Sequence, residues 1–336
     1  MKVGAHNLGT ATDRTRSARE KLSVCTEVQK QPALGLALSS GGAKALAHIG
    51  VIQVLEENGI RVDAIAGCSM GAYVGAVWAC GYDGAFMEKL AREVESRWGL
   101  LRLIDPAFPP RRGFLRGTKV RERLQFSIGD AHFSDLVRPL RVVATNLFTL
   151  ERRVFNAGDV ALAVQASSAI PGVCQPVQIG DDFYIDGGMS DPLPIDVLRA
   201  MGVDRVIAVN TIPTASDMKR RAELDKIRRD ARRGWIGALK RSLNRKLNYF
   251  APGNILDVML RGANAAQMRL AENSCREADL VLRPVSIDGR WHDFKHPGKY
   301  IALGREVAEA HLAEIKNLLR SNSDESTNQK SMAAAA

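Results

Sequence analysis

Short apolar runs alternate along this chain with stretches in which apolar residues recur at helical spacing. Leu34–Ser39, Leu140–Asn146 and Arg205–Asn210 are largely apolar runs of strand length. Strands that are apolar throughout are typical of a parallel sheet covered by helices on both faces. The alternation therefore predicts an α/β sandwich with a mainly parallel sheet. Further strands are predicted at 62–66, 152–155, 183–186 and 279–283, helices at 72–80, 83–98, 160–169, 195–201 and 300–319 with another ending near 58, and a surface loop at 104–117.

The two ends of the chain are predicted to lie outside the folded domain. Residues 1–32 are polar, mixed in charge and without the apolar stretch of a secretory signal, and residues 321–336 are polar and end in four alanines. Residues 33–320 are predicted to form one domain, because a chain of 336 residues with 46% hydrophobic residues can bury a large core. The five scattered cysteines favour a reducing compartment, and thus a cytoplasmic protein.

Positive charge is concentrated in the second half of the chain. The formal net charge is +10, and residues 216–250 contain twelve basic and four acidic residues. Between Trp235 and Phe250 apolar residues recur every three or four positions with basic residues between them. This pattern is typical of an interfacial membrane helix, and equally of a helix that buries its apolar stripe in the core. We expect a basic, partly amphipathic insertion at about 214–275, whose segment 219–250 contacts an anionic membrane surface from the cytoplasmic side. No nucleic-acid partner is predicted, because no nucleic-acid-binding motif accompanies these charges.

The clearest chemical motif is Gly67-Cys68-Ser69-Met70-Gly71, a G-x-S-x-G sequence between a predicted strand and a predicted helix. This is the context of a nucleophile elbow. Gly67 and Gly71 allow the tight turn, and the serine hydroxyl then projects beside the positive end of the helix. The motif predicts a serine hydrolase with Ser69 as its nucleophile.

A glycine-containing turn, Ser39-Ser40-Gly41-Gly42-Ala43-Lys44, joins the first predicted strand to the first predicted helix. Its small residues leave N–H groups pointing into a shared concavity, which suits either a dinucleotide phosphate or the oxyanion of an attacked ester. A plain connecting turn has the same sequence. The oxyanion hole is favoured, because the full G-x-G-x-x-G motif is absent and the elbow serine lies on the next strand.

A serine nucleophile needs a base, and the sequence offers two kinds. His292, His296 and His311 are the candidates for an ordinary esterase triad. Asp186, which ends a predicted strand and is followed by Gly187 and Gly188, could instead accept the proton directly. A turn aspartate that only caps a loop would have the same sequence.

Taken together, these motifs resemble those of the patatin-like phospholipases, in particular the bacterial branch related to neuropathy target esterase. The resemblance covers roughly Ala33–Asn210 in matching order and spacing. It rests on the following segments: Ser40-Gly41-Gly42-Ala43-Lys44, Ala45-Leu46-Ala47-His48-Ile49-Gly50-Val51, Gly67-Cys68-Ser69-Met70-Gly71, Ala166-Ser167-Ser168-Ala169-Ile170-Pro171-Gly172, Asp186-Gly187-Gly188 and Asp191-Pro192-Leu193-Pro194.

The resemblance implies a three-layer sandwich with a Ser–Asp catalytic dyad and no catalytic histidine. Ser69 would be the nucleophile and Asp186 the general base, and the N–H groups of Gly41, Gly42 and Ala43 would hold the oxyanion. Lys44 would face the lipid phosphate. The family's loop commonly reads G-G-G-x-[RK]-G, whereas this chain has Ser40 and Ala45 at the first and last glycines. A side chain at Ser40 is expected to restrict a backbone that a glycine would leave free.

The sequence therefore predicts a lipid acyl hydrolase that cleaves phospholipid or lysophospholipid esters through a Ser69 acyl-enzyme, without a cofactor or metal ion. Two alternatives stay open: a membrane- or acyl-lipid-binding regulatory protein with weak or no turnover, and a histidine-dependent α/β-hydrolase esterase. The dyad predicts loss of activity at acidic pH, and a pH profile with a histidine-like pKa is expected to argue against it.

Overall fold

The computed structural model describes residues 33–231 and 253–320, and within them eight strands form a single sheet. The order across the sheet is β5-β6-β3-β2-β1-β7-β8, with β4 also paired to β3. Four strand pairs are parallel and the three that involve β4, β5 and β6 are antiparallel. The prediction of a mainly parallel sheet is confirmed. The strands are β1 (Leu34–Leu38), β2 (Ala64–Cys68), β3 (Leu140–Asn146), β4 (Arg152–Phe155), β5 (Val177–Ile179), β6 (Asp182–Asp186), β7 (Arg205–Val209) and β8 (Leu280–Leu282).

Helices flank this sheet and make the α/β architecture that the alternating pattern predicts. A 3-10 turn at Gly42–Leu46 leads directly into the first α-helix. The α-helices of the described residues are α1 (Ala47–Glu57), α2 (Met70–Ala79), α3 (Gly84–Arg92), α4 (Arg97–Leu101), α5 (Thr118–Ile128), α6 (Val160–Ser167), α7 (Ile195–Ala200), α8 (Ala215–Ala231), α9 (Ile255–Ser274), α10 (Pro297–Ala310) and α11 (Leu312–Leu318).

Two cores lie on opposite faces of the sheet, because side chains of successive strand residues point to opposite sides. In β1, Leu36 and Leu38 belong to the larger core, which includes residues of α1, α2, α6 and α10, whereas Ala37 belongs to the smaller core with α7. The strand side chains on the face of the sheet covered by α7 are small, and this lets α7 pack closely on the sheet. The result is a three-layer sandwich.

The structure shifts several predicted elements. The elbow strand runs from Ala64 to Cys68, two residues later than predicted, so it ends immediately before Ser69. The predicted helix over 83–98 is two helices, α3 and α4, and the predicted helix over 300–319 is divided at His311 between α10 and α11. Helix α5 and strand β5 were not predicted, since α5 buries only two side chains and β5 is three residues long.

The basic insertion is only partly described. Its flanking helices α8 and α9 are described, but residues 232–252, which include the predicted interfacial helix at 235–250, lie outside the described residues. The two predicted terminal segments, 1–32 and 321–336, lie outside them as well, so their boundaries stay predictions. Among the described helices, none has both the length and the apolar character needed to cross a bilayer.

Candidate active site

Ser69 occupies a strained turn between β2 and α2. Its φ of 54° and ψ of −122° lie outside the regions that non-glycine residues ordinarily adopt. Such strain persists where the surrounding structure enforces it, and it occurs often at active sites. A Cβ on Gly71 would collide with the carbonyl oxygens of Leu38 and Ser39, and one on Gly67 would lie 2.7 Å from the carbonyl oxygen of Gly71. The two motif glycines therefore let strand, turn and helix pack closely enough to present the serine.

The register of the sheet brings Asp186 to Ser69. Strand β2 pairs with β3 up to Cys68 opposite Val143, and β6 pairs with β3 from Asp186 opposite Ala144. Strand β4 pairs along both of these stretches of β3, so β2 and β6 must share the other edge of β3. Cys68, which precedes Ser69, and Asp186 are therefore paired with consecutive residues of β3.

Ser69 and Asp186 are joined by a hydrogen bond. The Ser69 hydroxyl donates to Oδ2 of Asp186 at 2.7 Å, and the N–H of Gly188 donates to Oδ1 at 2.7 Å. Both side chains are buried. Burial raises the pKa of Asp186 to about 6, and the hydrogen bonds from Ser69 and Gly188 oppose that rise. A carboxylate in this position can receive the serine proton near neutral pH.

Further polar residues, none of them among the predicted site residues, hold the backbone of Ser69 and Asp186 in place. The Ser69 N–H donates to the Ser167 hydroxyl at 2.8 Å, and Ser167 in turn donates to the carbonyl of Val143. The Thr145 hydroxyl donates to the carbonyl of Asp186 at 3.1 Å. Ser167 lies in one of the segments that carry the family resemblance, whereas Thr145 is an ordinary strand residue in the sequence.

Glycines follow Asp186 because backbone and side chains approach closely there. A Cβ on Gly187 would collide with the carbonyl oxygen of Val143. A Cβ on Gly188 would lie 2.5 Å from Nε2 of Gln267 and 2.9 Å from Oδ1 of Asp186. Gln267 belongs to α9, so the insertion places a polar side chain next to the Asp186 turn, and no sequence motif indicated this.

The glycine-containing turn lies beside β7 and the loop after β8. A Cβ on Gly41 would collide with Oγ1 of Thr211. Gly42 has a φ of 59°, and a Cβ on this residue would collide with the carbonyl oxygen of Trp291. The N–H of Ala43 donates to that same carbonyl at 2.7 Å. The Ala43 N–H is therefore not free in this structure, contrary to the expectation for an oxyanion donor. No hydrogen bond from the N–H of Gly41 or Gly42 occurs within the described part of the chain.

The two departures from the glycine-rich loop do not strain the backbone. Among the described non-glycine residues only Ser69 and Leu150 have positive φ, so Ser40 and Ala45 adopt ordinary conformations. The Ser40 N–H donates to the carbonyl of Pro192 at 2.9 Å, while its buried hydroxyl has no hydrogen-bond partner among the described residues. The expected restriction at Ser40 is therefore wrong, because this position does not need glycine.

Two basic side chains converge beside this turn. Lys44 packs against Gly289, and Arg221 of α8 donates from Nη1 to the Gly289 carbonyl at 3.3 Å. Burial lowers the pKa of Lys44 to about 8, and the positive charge of Arg221 contributes. No carboxylate of the described residues pairs with the Lys44 ammonium, whereas Nε of Arg221 lies 3.9 Å from Oδ2 of Asp225. The pair is suited to an anion.

The histidines have partners other than Ser69. His296 is exposed and contacts Oδ1 of Asp293 at 2.8 Å through Nδ1, and His311 contacts the carbonyl of Val307 at 2.8 Å. His292 packs edge-on against Trp291. A fourth histidine, His48, is fully buried and contacts the Ser39 carbonyl at 2.9 Å, and burial lowers its pKa to about 4. Neutral His48 therefore donates to the start of the glycine turn.

The structure thus combines an α/β sandwich with a strained serine at the end of a strand, and this serine hydrogen-bonds to a buried aspartate. Residues 36–199 match the family described as patatin-like phospholipase. Through this segment the chain belongs to the patatin-like phospholipase family, as the sequence motifs predict.

Relatives agree with this assignment. An uncharacterised NTE family protein of Mycobacterium tuberculosis strain H37Rv is 35% identical over 226 residues, which are 67% of this chain and 61% of the relative. Lysophospholipase NTE1 of Saccharomyces cerevisiae is 30% identical over 182 residues, or 53% of this chain and 11% of the yeast protein. The match thus spans about three fifths of the mycobacterial protein and a small part of the yeast one.

A solved structure supports the fold. The crystal structure of VipD from Legionella pneumophila superposes with a TM-score of 0.50, at 15% sequence identity, over 85% of this chain and 67% of that chain. At this identity the similarity concerns the fold alone.

Proposed function

We propose that this protein is a serine lipid acyl hydrolase that cleaves the carboxylic esters of phospholipids or lysophospholipids through a Ser69 acyl-enzyme. The observation that carries the proposal is the 2.7 Å hydrogen bond from the Ser69 hydroxyl to Asp186. A serine whose hydroxyl already donates a hydrogen bond to a buried carboxylate can pass its proton to that carboxylate as it attacks. The family assignment and the lysophospholipase name of the yeast relative support a lipid ester as substrate.

The first half of the proposed reaction forms the acyl-enzyme. Oγ of Ser69 attacks the ester carbonyl while its proton moves to Oδ2 of Asp186. The carbonyl oxygen becomes an oxyanion that accepts hydrogen bonds from the N–H groups of Gly41 and Gly42. The ester bond then breaks, and the departing alcohol takes the proton from Asp186.

The second half releases the fatty acid. A water molecule gives a proton to Asp186 and attacks the acyl carbonyl, the bond to Oγ breaks, and Ser69 regains the proton. An acceptor alcohol could take the place of water, since both reactions share the same acyl-enzyme.

Ala43 can join the oxyanion hole only if its hydrogen bond to Trp291 opens. With that bond in place, two of the three predicted donors are available. Each missing oxyanion donor costs about 3 kcal/mol in comparable enzymes. The occupied Ala43 N–H is the observation that favours the second candidate, a lipid-binding protein on the same fold with weak turnover.

A phosphate-bearing substrate is supported by the pair of Lys44 and Arg221. A lipid phosphate between these two cations would neutralise the Lys44 charge, which burial makes unfavourable, and would accept hydrogen bonds from the Arg221 guanidinium. Replacing Lys44 by Met is expected to raise KM for a lysophospholipid while leaving a monoacylglycerol, which has no phosphate, unaffected. Equal losses on both substrates would contradict a role for Lys44 in headgroup binding.

The proposed function is tested by hydrolysis of a short-chain chromogenic ester and of lysophospholipid by the wild-type protein, Ser69→Ala and Asp186→Asn. We expect turnover by the wild-type protein and losses of about 100-fold or more in both variants. Single replacements of His292, His296 and His311 by Ala are the matched controls and are expected to keep near-normal rates. A wild-type protein that binds lipid vesicles but hydrolyses no ester would instead support the binding protein, and loss of activity on replacing one histidine would support the triad esterase.

A further inference from the structure

Large apolar side chains are exposed at short intervals in residues 97–108. Trp98 is 77% exposed, Leu101 54%, Ile104 41% and Phe108 91%. Trp98 and Leu101 lie three residues apart on α4 and therefore share a face of that helix. Several large apolar side chains exposed so close together in the sequence point to an interaction surface, whereas single ones are ordinary.

The same segment is strongly basic. Residues 97–117 contain five arginines and one acidic residue, Asp105. The carboxylate of Asp105 accepts hydrogen bonds from the N–H groups of Gly117, Thr118 and Lys119 at 3.0, 2.6 and 3.1 Å. Its charge is thus directed to the start of α5. The exposed arginines in the segment are Arg102, Arg111, Arg112 and Arg116.

Backbone hydrogen bonds attach this segment to the loop beside the active site. The Leu115 N–H donates to the Val173 carbonyl at 2.9 Å, and the Gln175 N–H donates to the Leu115 carbonyl at 2.8 Å. In the same loop the carbonyl of Ala169 accepts from the N–H of Asp186 at 2.9 Å. Residues 97–117 are therefore hydrogen-bonded to the same loop that hydrogen-bonds to Asp186.

We propose that residues 97–117 form a surface that docks on an anionic phospholipid bilayer, with Trp98 and Phe108 as apolar anchors and the four exposed arginines facing lipid phosphates. Aromatic side chains are suited to the membrane interface, and each basic residue near an anionic leaflet adds to binding. A second copy of this chain would bring the same positive charge against it, so charge complementarity favours the bilayer. The proposal concerns binding and does not depend on the hydrolytic activity.

The test is sedimentation of the full-length protein with vesicles of phosphatidylcholine alone and with added phosphatidylglycerol. The variant Trp98→Ser/Phe108→Ser is expected to bind the mixed vesicles about tenfold or more weakly than the wild-type protein. Val137→Ser is the control, because Val137 is also 70% exposed but precedes β3, at the end of the sheet opposite to Ser69. The control is expected to bind like the wild-type protein, and all three proteins are expected to hydrolyse a soluble short-chain ester equally.

The charge contribution is tested separately. Arg102→Gln/Arg111→Gln is expected to lose about fivefold in affinity per arginine on the mixed vesicles and little on phosphatidylcholine alone. Equal vesicle binding by the wild-type protein and Trp98→Ser/Phe108→Ser would overturn the proposal, as would a wild-type protein that binds no vesicles. So would analytical ultracentrifugation showing a wild-type dimer that the same double replacement dissociates, since a second copy would then cover this surface.

Discussion

Burial of the Asp186 carboxyl group connects the proposed catalysis to the stability of the fold. The carboxyl group is buried, so its charged form is disfavoured and its pKa rises to about 6. The group can then act as a base only above that pH, and the folded protein bears the cost of keeping it ionised. Two predictions at the scale of single residues follow from this.

The first concerns the pH dependence of activity. Asp186 must be ionised to accept the Ser69 proton, so kcat/KM for a short-chain ester is expected to rise with pH, with a midpoint near 6, and to be level above about pH 7. Steady-state kinetics between pH 4.5 and 8.5 would measure it. Constant activity down to pH 4.5 would contradict an essential base with a raised pKa.

This pKa removes one discriminating test that the sequence suggested. A midpoint near 6 lies close to the ordinary pKa of histidine, about 6.5. The profile alone therefore cannot separate the dyad from a triad. The same pH profile, measured after replacement of His292, His296 and His311, does separate the two mechanisms, because the dyad predicts that it is unchanged.

The second prediction concerns stability. Because the folded pKa of Asp186 lies above its unfolded value, the folded state binds more protons between about pH 4 and 6, and stability falls as pH rises through that window. The full loss, reached above pH 6, is about 3 kcal/mol for a shift of roughly two pKa units. Asp186→Asn is therefore expected to raise the free energy of unfolding at pH 7.5 by about 2 kcal/mol.

Urea denaturation at pH 7.5 and pH 4.5 would measure this gain, which is expected to shrink at the lower pH. Asp181→Asn, at an exposed position in the turn before β6, is the control and should change little at either pH. A less stable Asp186→Asn at pH 7.5 would contradict the assigned cost of burial.

At the scale of secondary-structure elements, the turn from β2 into α2 depends on the absence of a side chain at Gly71. Gly71→Ala would force the new methyl group against the carbonyls of Leu38 and Ser39, which cannot move without disturbing β1. We expect a loss of about 2 kcal/mol or more in the free energy of unfolding. Thermal unfolding, followed by circular dichroism, would measure it.

Gly262→Ala in α9 is the matched change, because nothing lies within 4 Å of its added Cβ. It is expected to stabilise the protein by up to about 1 kcal/mol through helix propensity. If Gly71→Ala and Gly262→Ala shifted the unfolding temperature equally, close packing at the elbow would not be the reason for Gly71.

Elements with a strong local pattern were predictable and those defined by distant contacts were not. The run around β1 and the G-x-S-x-G motif fixed a strand, a turn and a helix because each carries its own apolar or glycine pattern. Helix α5 buries only Leu124 and Ser127, so its sequence has little apolar periodicity. The hydrogen bond from the Ala43 N–H to the Trp291 carbonyl joins residues far apart in the chain, and no local sequence pattern predicts it.

At the scale of the whole molecule, the last long helix supports the segment that contains the glycine turn. Helix α10 packs on α1 so closely that a Cβ on Gly304 would collide with the Ala47 carbonyl, and one on Gly50 with the Ile301 carbonyl. Since α1 continues directly from the 3-10 turn that begins at Gly42, the position of α10 bears on the proposed oxyanion hole. The C-terminal part of the described chain thus belongs to the same structural unit as the site.

Gly304→Val is accordingly expected to lower the unfolding temperature by about 5 °C or more and to reduce esterase activity at temperatures where the protein is still folded. Differential scanning fluorimetry and ester hydrolysis would be run in parallel. Ala302→Val adds comparable volume at an exposed position of the same helix; it is expected to lower the unfolding temperature much less, through helix propensity alone, and to leave activity unchanged. Full activity and stability in Gly304→Val would show that the α1–α10 contact is not needed.

The most direct test of the central claim, that Asp186 and no histidine activates Ser69, is the rate at which a fluorophosphonate ester modifies the protein, with the modified residue located by mass spectrometry. We predict a single adduct on Ser69, modification about 100-fold or more slower in Asp186→Asn, and an undiminished rate when His292, His296 and His311 are all replaced by Ala. An adduct on another residue, or loss of labelling in the histidine variant with Asp186 intact, would contradict the account.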